Sequence, residues 1–216
     1  MAIDVKVWSD FVCPFCMIAE KPLLDAIAAS GAEVELQWMP FELRPYPAET
    51  LRPEDAYLQS IWPQSVYPVA ERHGVTLKLP SISPQPHTGL AWEGYQFAQE
   101  QGSGNAYNDR MLKAFFQEDR DIGDVEVLTQ LATEVGLDRA SFRSALEQRR
   151  YRTQHQQALL LAERMGVQAV PTILVGERLF SGVQSEQTLL EALRHEGAVA
   201  KSASRRRPDH GSTGQI

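Results

Sequence analysis

Cys13 and Cys16 are the only cysteines in the chain, and they stand two residues apart in "WSDFVCPFCMIAEKPLL", residues 8–24. A C-x-x-C spacing fits three chemistries: a structural disulfide, half of a metal site, or a dithiol that makes and breaks its own disulfide. A bridge across so short a loop constrains little of the unfolded chain, which weakens the first. A structural zinc site needs four ligands, and no further cysteine exists. His73, His87, His155, His195 and His210 show no H-x(3–5)-H spacing, so they read as surface or hydrogen-bonded helix residues and no metal is expected. A working dithiol remains, and its behaviour depends on the elements that hold it.

Residues 3–8, "IDVKVW", alternate apolar and polar with β-branched side chains, the period of a strand. "PFCMIAEKPLLDAIAAS", 14–30, places Ile18, Leu23, Leu24 and Ile27 at helical spacing, with Pro14 suited to the first turn and Gly31 to the stop. Pro22 is expected to kink this helix. Cys13 therefore falls where strand gives way to helix. The positive end of the helix, with the free N–H groups of Phe15 and Cys16, would stabilise a thiolate there. Cys16 lies one turn deeper and should be the more buried. Position alone makes Cys13 the attacking thiol and Cys16 the one that resolves a mixed disulfide. Asp10 is either a plain turn residue or a group that raises the Cys13 thiol pKa or accepts a proton.

The remainder supplies the frame. "EVELQWMPFEL", 33–43, reads as a second strand ended near Pro40, and strand–helix–strand favours a parallel pair with a right-handed crossover. From 51 to 165 the apolar spacing is helical, with five or so helices and Asp124 and Asp138 as N-caps. "PTILV" and "RLFSG" flank a "GE" turn as a hairpin, and Ser185 opens a closing helix. The order β-α-β, helical insertion, β-β-α implies an α/β domain assembled from residues 1–48 and 166–197, an all-helical insertion at 49–165, and a flexible tail at 198–216.

With 216 residues, 43% hydrophobic and 23% charged, the chain can bury a sizeable core. A net charge of −7 argues against nucleic acid as a partner, and no apolar run is long enough for a membrane helix. The N-terminus lacks a signal-peptide pattern, so a cytoplasmic protein is expected. In that compartment disulfides are mostly transient and catalytic.

"GVQAVPT", 166–172, sets Pro171 before the hairpin. One reading is a trans proline at a strand start. The other is a cis proline whose neighbour, Val170, lines its backbone up beside the Cys13 sulfur to hold a substrate peptide as an extra strand.

A strand, C-x-x-C at a helix start, and V-P-T before a hairpin ending in "SGVQS" resemble the thioredoxin fold, and the long helical insertion resembles the DsbA family. Within that family "SDFVCPFC", "FFQEDRDIGDVEVLTQLATEVGLD" and "GVQAVPTILVGERLFSGVQSEQTLLEAL" are similar to the FrnE-like cytoplasmic branch, and the resemblance runs to about residue 196. It implies a thioredoxin fold with a helical insertion, Cys13 as nucleophile, Cys16 as resolving thiol and Pro171 as the cis proline. Pro14, Phe15, Phe11 and Val170 are expected to contact substrate. Trp8, Met39, Phe41 and Trp92 are further groove candidates that serve equally well as core. Some features depart from the pattern. Phe15 stands where DsbA has His, which implies a weaker oxidant. "MIA" replaces the more usual Tyr-Ile-Gly after the second cysteine, and the second cysteine pair of some FrnE-like proteins is missing.

The function expected is a thiol–disulfide oxidoreductase acting on protein or peptide substrates, as a monomer or homodimer. No cofactor beyond the redox-active disulfide is expected, with glutathione a candidate electron donor or acceptor. Two alternatives stay open. One is a glutathione-dependent isomerase or transferase on small aromatic molecules, similar in its helical insertion but usually carrying Ser at the first cysteine. The other is a non-enzymatic, chaperone-like binding module.

Overall fold

The computed structural model describes residues 2–205. Strand β1 (Ile3–Ser9) leads through a tight turn into α1 (Pro14–Ser30), and β2 (Val34–Pro40) returns parallel to β1, with Val5 beside Leu36 and Trp8 beside Met39. Gly31 closes α1 at φ +61°, a left-handed conformation that glycine adopts without a Cβ penalty. The helix continues through Pro22 to Ser30.

Strands β3 (Thr172–Val175) and β4 (Arg178–Ser181) form the hairpin, and β3 pairs antiparallel with β1, giving the sheet order β2-β1-β3-β4. Strands far apart in sequence thus become neighbours at the sheet centre. Period-2 alternation sends Val5, Val7, Ile173 and Val175 to one face, where they are fully buried. On that side α1 packs along α9 (Glu186–Arg205). Trp8 and Leu174 face the other way and form a smaller cluster with Ala162 and Val167.

Between β2 and β3 lie α2 (Ala56–Ile61), α3 (Tyr67–Arg72), α4 (Gly89–Glu100), α5 (Gly104–Phe116), α6 (Val125–Glu134), α7 (Arg139–Glu147) and α8 (Arg152–Arg164). That is seven helices where spacing suggests five or so, for two local reasons. Pro63 and Pro68 cannot donate backbone N–H groups, and α2 joins α3 through a widened π turn, Trp62–Val66, in which Tyr67 N–H reaches the Trp62 carbonyl. Helical spacing continues across 139–166, but the chain breaks between α7 and α8 at Arg149, whose φ is +50°. The expected caps are present: Asp124 Oδ1 accepts from Val127 N–H at 2.9 Å, and Asp138 Oδ1 from Ser141 N–H at 2.8 Å.

The segment expected as a tail from 198 is corrected in part. Helix α9 runs on to Arg205, through a stretch where Ala198, Ala200 and Ala203 are strong helix formers. Positions 206–216 of that expected tail lie outside the described residues. Among the described residues, no helix is long and apolar enough to cross a membrane.

Candidate active site

The site forms where β1 ends. The Cys13 N–H donates to the Asp10 carbonyl at 3.0 Å, closing the turn that sets Cys13 at the N-cap of α1, and Pro14 begins the helix. Cys16 N–H donates to the Cys13 carbonyl at 3.0 Å. One of the two amides expected to face a Cys13 thiolate is therefore already engaged, and the field of the helix start carries more of that task.

Both thiols are free. Cys13 is 4% exposed and Cys16 1%, so the order of burial is the one that position implies. Burial, and the Cys13 thiol beside it, push the Cys16 thiol well above its ordinary pKa, against the opposing contacts of the Asp10 amide and the Ser9 hydroxyl.

The second half of the site arrives from the far end of the chain. The Val170–Pro171 peptide is cis, and the Cys13 thiol donates to the Val170 carbonyl across 3.7 Å. The loop is fixed from both sides: the Thr172 hydroxyl donates to the Ala169 carbonyl at 2.7 Å, and Gly182 N–H to the Pro171 carbonyl at 2.8 Å. Pro171 is buried while Val170 is half-buried.

Pro14 and Phe15 are also half-buried at the helix start, accessible to a partner. Phe11 is not, and its expected contact with substrate is corrected. It is fully buried, stacked on Trp92 at 4.2 Å between ring centroids and edge-on to Tyr107 at 6.4 Å. The turn directs it into the helical insertion, where it joins the two parts of the molecule. Trp8 and Trp92 are core as well. Met39 and Phe41 are half-buried and pack with Val170 over the Trp8 cluster.

Asp10 is almost wholly buried. Its Oδ2 accepts the Leu43 N–H at 2.8 Å, tying the redox turn to the segment after β2, and its Oδ1 has no hydrogen-bond partner. Burial raises its carboxyl to about 7, Glu42 adds to the rise, and Thr88 and the Leu43 and Val12 amides oppose it. A cavity of about 410 Å³ opens beside this carboxyl, lined among others by Val12, Arg44, Thr50 and Tyr57.

Glu42 and His155 escape sequence reasoning. Glu42 lies two residues past β2, a charged residue ending an apolar run. His155 is indeed a hydrogen-bonded helix residue, but its partner is Glu42, at 2.6 Å and 113 positions away. Among the described residues, no cluster of three or more His, Cys, Asp or Glu could hold a metal ion.

Residues 4–194 match the family model of the DSBA-like thioredoxin domain. The chain belongs to that family. The uncharacterized protein YwbO of Bacillus subtilis (strain 168) is 46% identical over 198 residues, 91% of this chain and 98% of that protein. Among solved structures, a probable DsbA oxidoreductase from Streptomyces coelicolor superposes with a TM-score of 0.72 at 22% identity, covering 98% of this chain and 97% of that one. A 2-hydroxychromene-2-carboxylate isomerase gives 0.70 at 15% identity, covering 95% and 100%. The cytosolic disulfide reductase DsbM from Pseudomonas aeruginosa, solved with glutathione, gives 0.66 at 18% identity, covering 94% and 99%. These likenesses carry the DsbA-like thioredoxin fold, and the FrnE-like branch is consistent with them.

Proposed function

We propose that this DsbA-family protein is a thiol–disulfide oxidoreductase of protein or peptide substrates, working in the cytoplasm, with Cys13 attacking and Cys16 resolving. The observation that carries the reading is the stacking of chemical parts at one point. The helix-start thiol of Cys13 faces the Val170 carbonyl at 3.7 Å, with the more deeply buried Cys16 thiol beside it.

In the reducing direction the Cys13 thiolate attacks one sulfur of a substrate disulfide. That S–S bond breaks, a Cys13–substrate disulfide forms, and the first substrate sulfur leaves as a thiol after taking a proton. Cys16 then loses its proton and attacks Cys13 Sγ, releasing the second substrate thiol and leaving the Cys13–Cys16 disulfide. Two protein thiols are oxidised and one substrate disulfide is reduced to two thiols. The oxidising direction is the same sequence reversed. The raised Cys16 thiol keeps its proton, and Cys13, at the helix start and the less buried of the two, is the better attacking thiol.

An extended substrate would lie along Val170, with Pro14, Phe15, Met39 and Phe41 as its apolar surroundings. Glutathione is the small thiol proposed to exchange electrons with the pair. The isomerase alternative has no use for a buried second thiol beside the first, and this favours the redox reading.

Titration in glutathione redox buffers, followed by tryptophan fluorescence with Cys16→Ala as control, tests the proposal. A reversible two-electron transition that the variant lacks supports it. Absence of any transition in the native protein sinks it.

A further inference from the structure

The redox turn does not stand alone electrostatically: it touches a buried array of charge contributed by both parts of the molecule. Asp10 comes from the turn after β1 and Glu42 from the segment just past β2. Glu93 on α4 is 1% exposed at its side chain and is held by Arg149, between α7 and α8, through Nε at 3.0 Å and Nη2 at 2.6 Å. His155 on α8 bonds Glu42 at 2.6 Å, with both side chains less than a tenth exposed. The start of α4 completes the enclosure, since a Cβ on Gly89 would lie 3.4 Å from Glu42 Oε1 and the positive end of that helix faces the carboxylate. Thr88, just before it, sits against Asp10, and Arg44 lines the adjoining cavity.

Arg149, whose side chain is 47% exposed, pairs with Glu93, and His155 pairs with Glu42. Burial, with the Glu42 charge adding to it, makes the Asp10 carboxyl hold its proton more firmly than an isolated carboxylate does. Asp10 keeps an oxygen without a hydrogen-bond partner, although the Thr88 hydroxyl lies close to its carboxyl, and the Glu42 charge acts on it. Asp10 is also the member in contact with the chemistry. Its carbonyl holds the Cys13 N–H, and its amide faces the Cys16 sulfur. A negative charge on its side chain opposes thiolate at that site, and in a buried setting the effect extends over several ångströms.

We propose that His155, acting through Glu42, sets the charge on Asp10 and thereby the pH range over which the Cys13–Cys16 couple changes its oxidising strength. His155 and Glu42 are positioning residues that never touch substrate. The helical insertion thereby adjusts the redox pair as well as covering it. The inference rests on the redox reading proposed above and adds a regulation to it.

The Glu42–His155 pair yields two opposite signs, which a merely structural role would not. Removing the Glu42 charge relieves Asp10, while removing His155 takes from the Glu42 carboxylate the hydrogen-bond partner that offsets its charge. The midpoint of the couple is measured in glutathione redox buffers from pH 5.5 to 8.5. The native protein should show a change of slope near neutrality, and Asp10→Asn should lose it. Glu42→Gln should move the change of slope to lower pH by about one unit, and His155→Phe should move it to higher pH by a similar amount. The double variant should follow Glu42→Gln alone, because His155 acts through Glu42. If His155→Phe does not fold, His155→Gln, which keeps a hydrogen-bond donor on a different side chain, should shift in the same direction by less.

A change of slope that stays at one pH in both single variants, or moves the same way in both, overturns the proposal while leaving the redox pair intact. A native protein with a transition but no change of slope overturns it too. No transition at any pH is the separate failure of the redox reading itself.

Discussion

Helix α1 has two buried carboxyl groups close to it, and they look alike until their surroundings are compared. Asp10 precedes its first turn and Glu20 lies on its second, and burial raises each to about 7. Glu20 accepts from Asn108 Nδ2 at 3.0 Å, has Asp109 and Lys113 of α5 nearby, and borders a separate cavity of about 340 Å³. No thiol lines that cavity. Asp10 is built into the turn that holds Cys13 and is bonded to the segment after β2. The same perturbation thus has the same cause, desolvation, at both ends, and only one end has chemistry beside it. A shifted pKa marks a buried group, and what it touches marks a site.

The largest effect expected separates the two ends outright. Cys13→Ser should reduce disulfide turnover with a peptide substrate to background, and Glu20→Gln should leave it within about twofold. Equal losses in both would erase the distinction.

The aromatic residues of the front end come next. Phe11→Ala should lower the unfolding free energy by about 3–5 kcal/mol, the range for emptying a buried phenylalanine site. Phe15→Ala should cost less than about 1 kcal/mol but raise KM severalfold. Denaturant unfolding and steady-state kinetics on the two variants would show whether they divide in this way.

Stability against pH should show the two carboxyls behaving alike. Each has a folded-state pKa above its unfolded value, 3.8 for Asp10 and 4.5 for Glu20. Between about pH 4 and pH 7 the folded chain holds protons that the unfolded chain has released, so stability falls as pH rises through that window and then levels off. Asp10→Asn and Glu20→Gln should therefore each stabilise the protein at pH 8, by about 2–4 kcal/mol, and have little effect at pH 4. Unfolding in urea at the two pH values measures this.

The smallest effect lies at the back end alone. Asp109→Asn removes a like charge beside Glu20, so the pH window of Glu20 should move down by less than about one unit, because Asp109 is partly solvated and paired with Lys113. The window of Asp10 should not move. Carboxyl NMR titration of the two groups would detect either shift.

Much of the front end was legible because its signals are local. Gly31, Pro14 and the alternation of "IDVKVW" specify β1 and α1 through backbone chemistry that depends on immediate neighbours. The hairpin at "GE" and the caps Asp124 and Asp138 are of the same kind. The helical insertion was less legible, because Pro63 and Pro68 at the π turn and the left-handed Arg149 break runs whose apolar spacing stays helical. Phe11 was misplaced for a related reason: whether an aromatic beside a turn faces solvent or Trp92 depends on where α4 packs. Glu42 and His155, distant in sequence and joined only by the fold, left no pattern that spacing could reveal.

The division of labour between the two thiols is the central claim, and trapping tests it most directly. Cys16→Ala and Cys13→Ala proteins would be mixed with a disulfide-bonded peptide, quenched with acid and mapped by mass spectrometry. The account predicts a peptide disulfide accumulating on Cys13 in the Cys16→Ala protein and almost none on Cys16 in the Cys13→Ala protein. Equal trapping on both cysteines, or trapping on Cys16 alone, would contradict it.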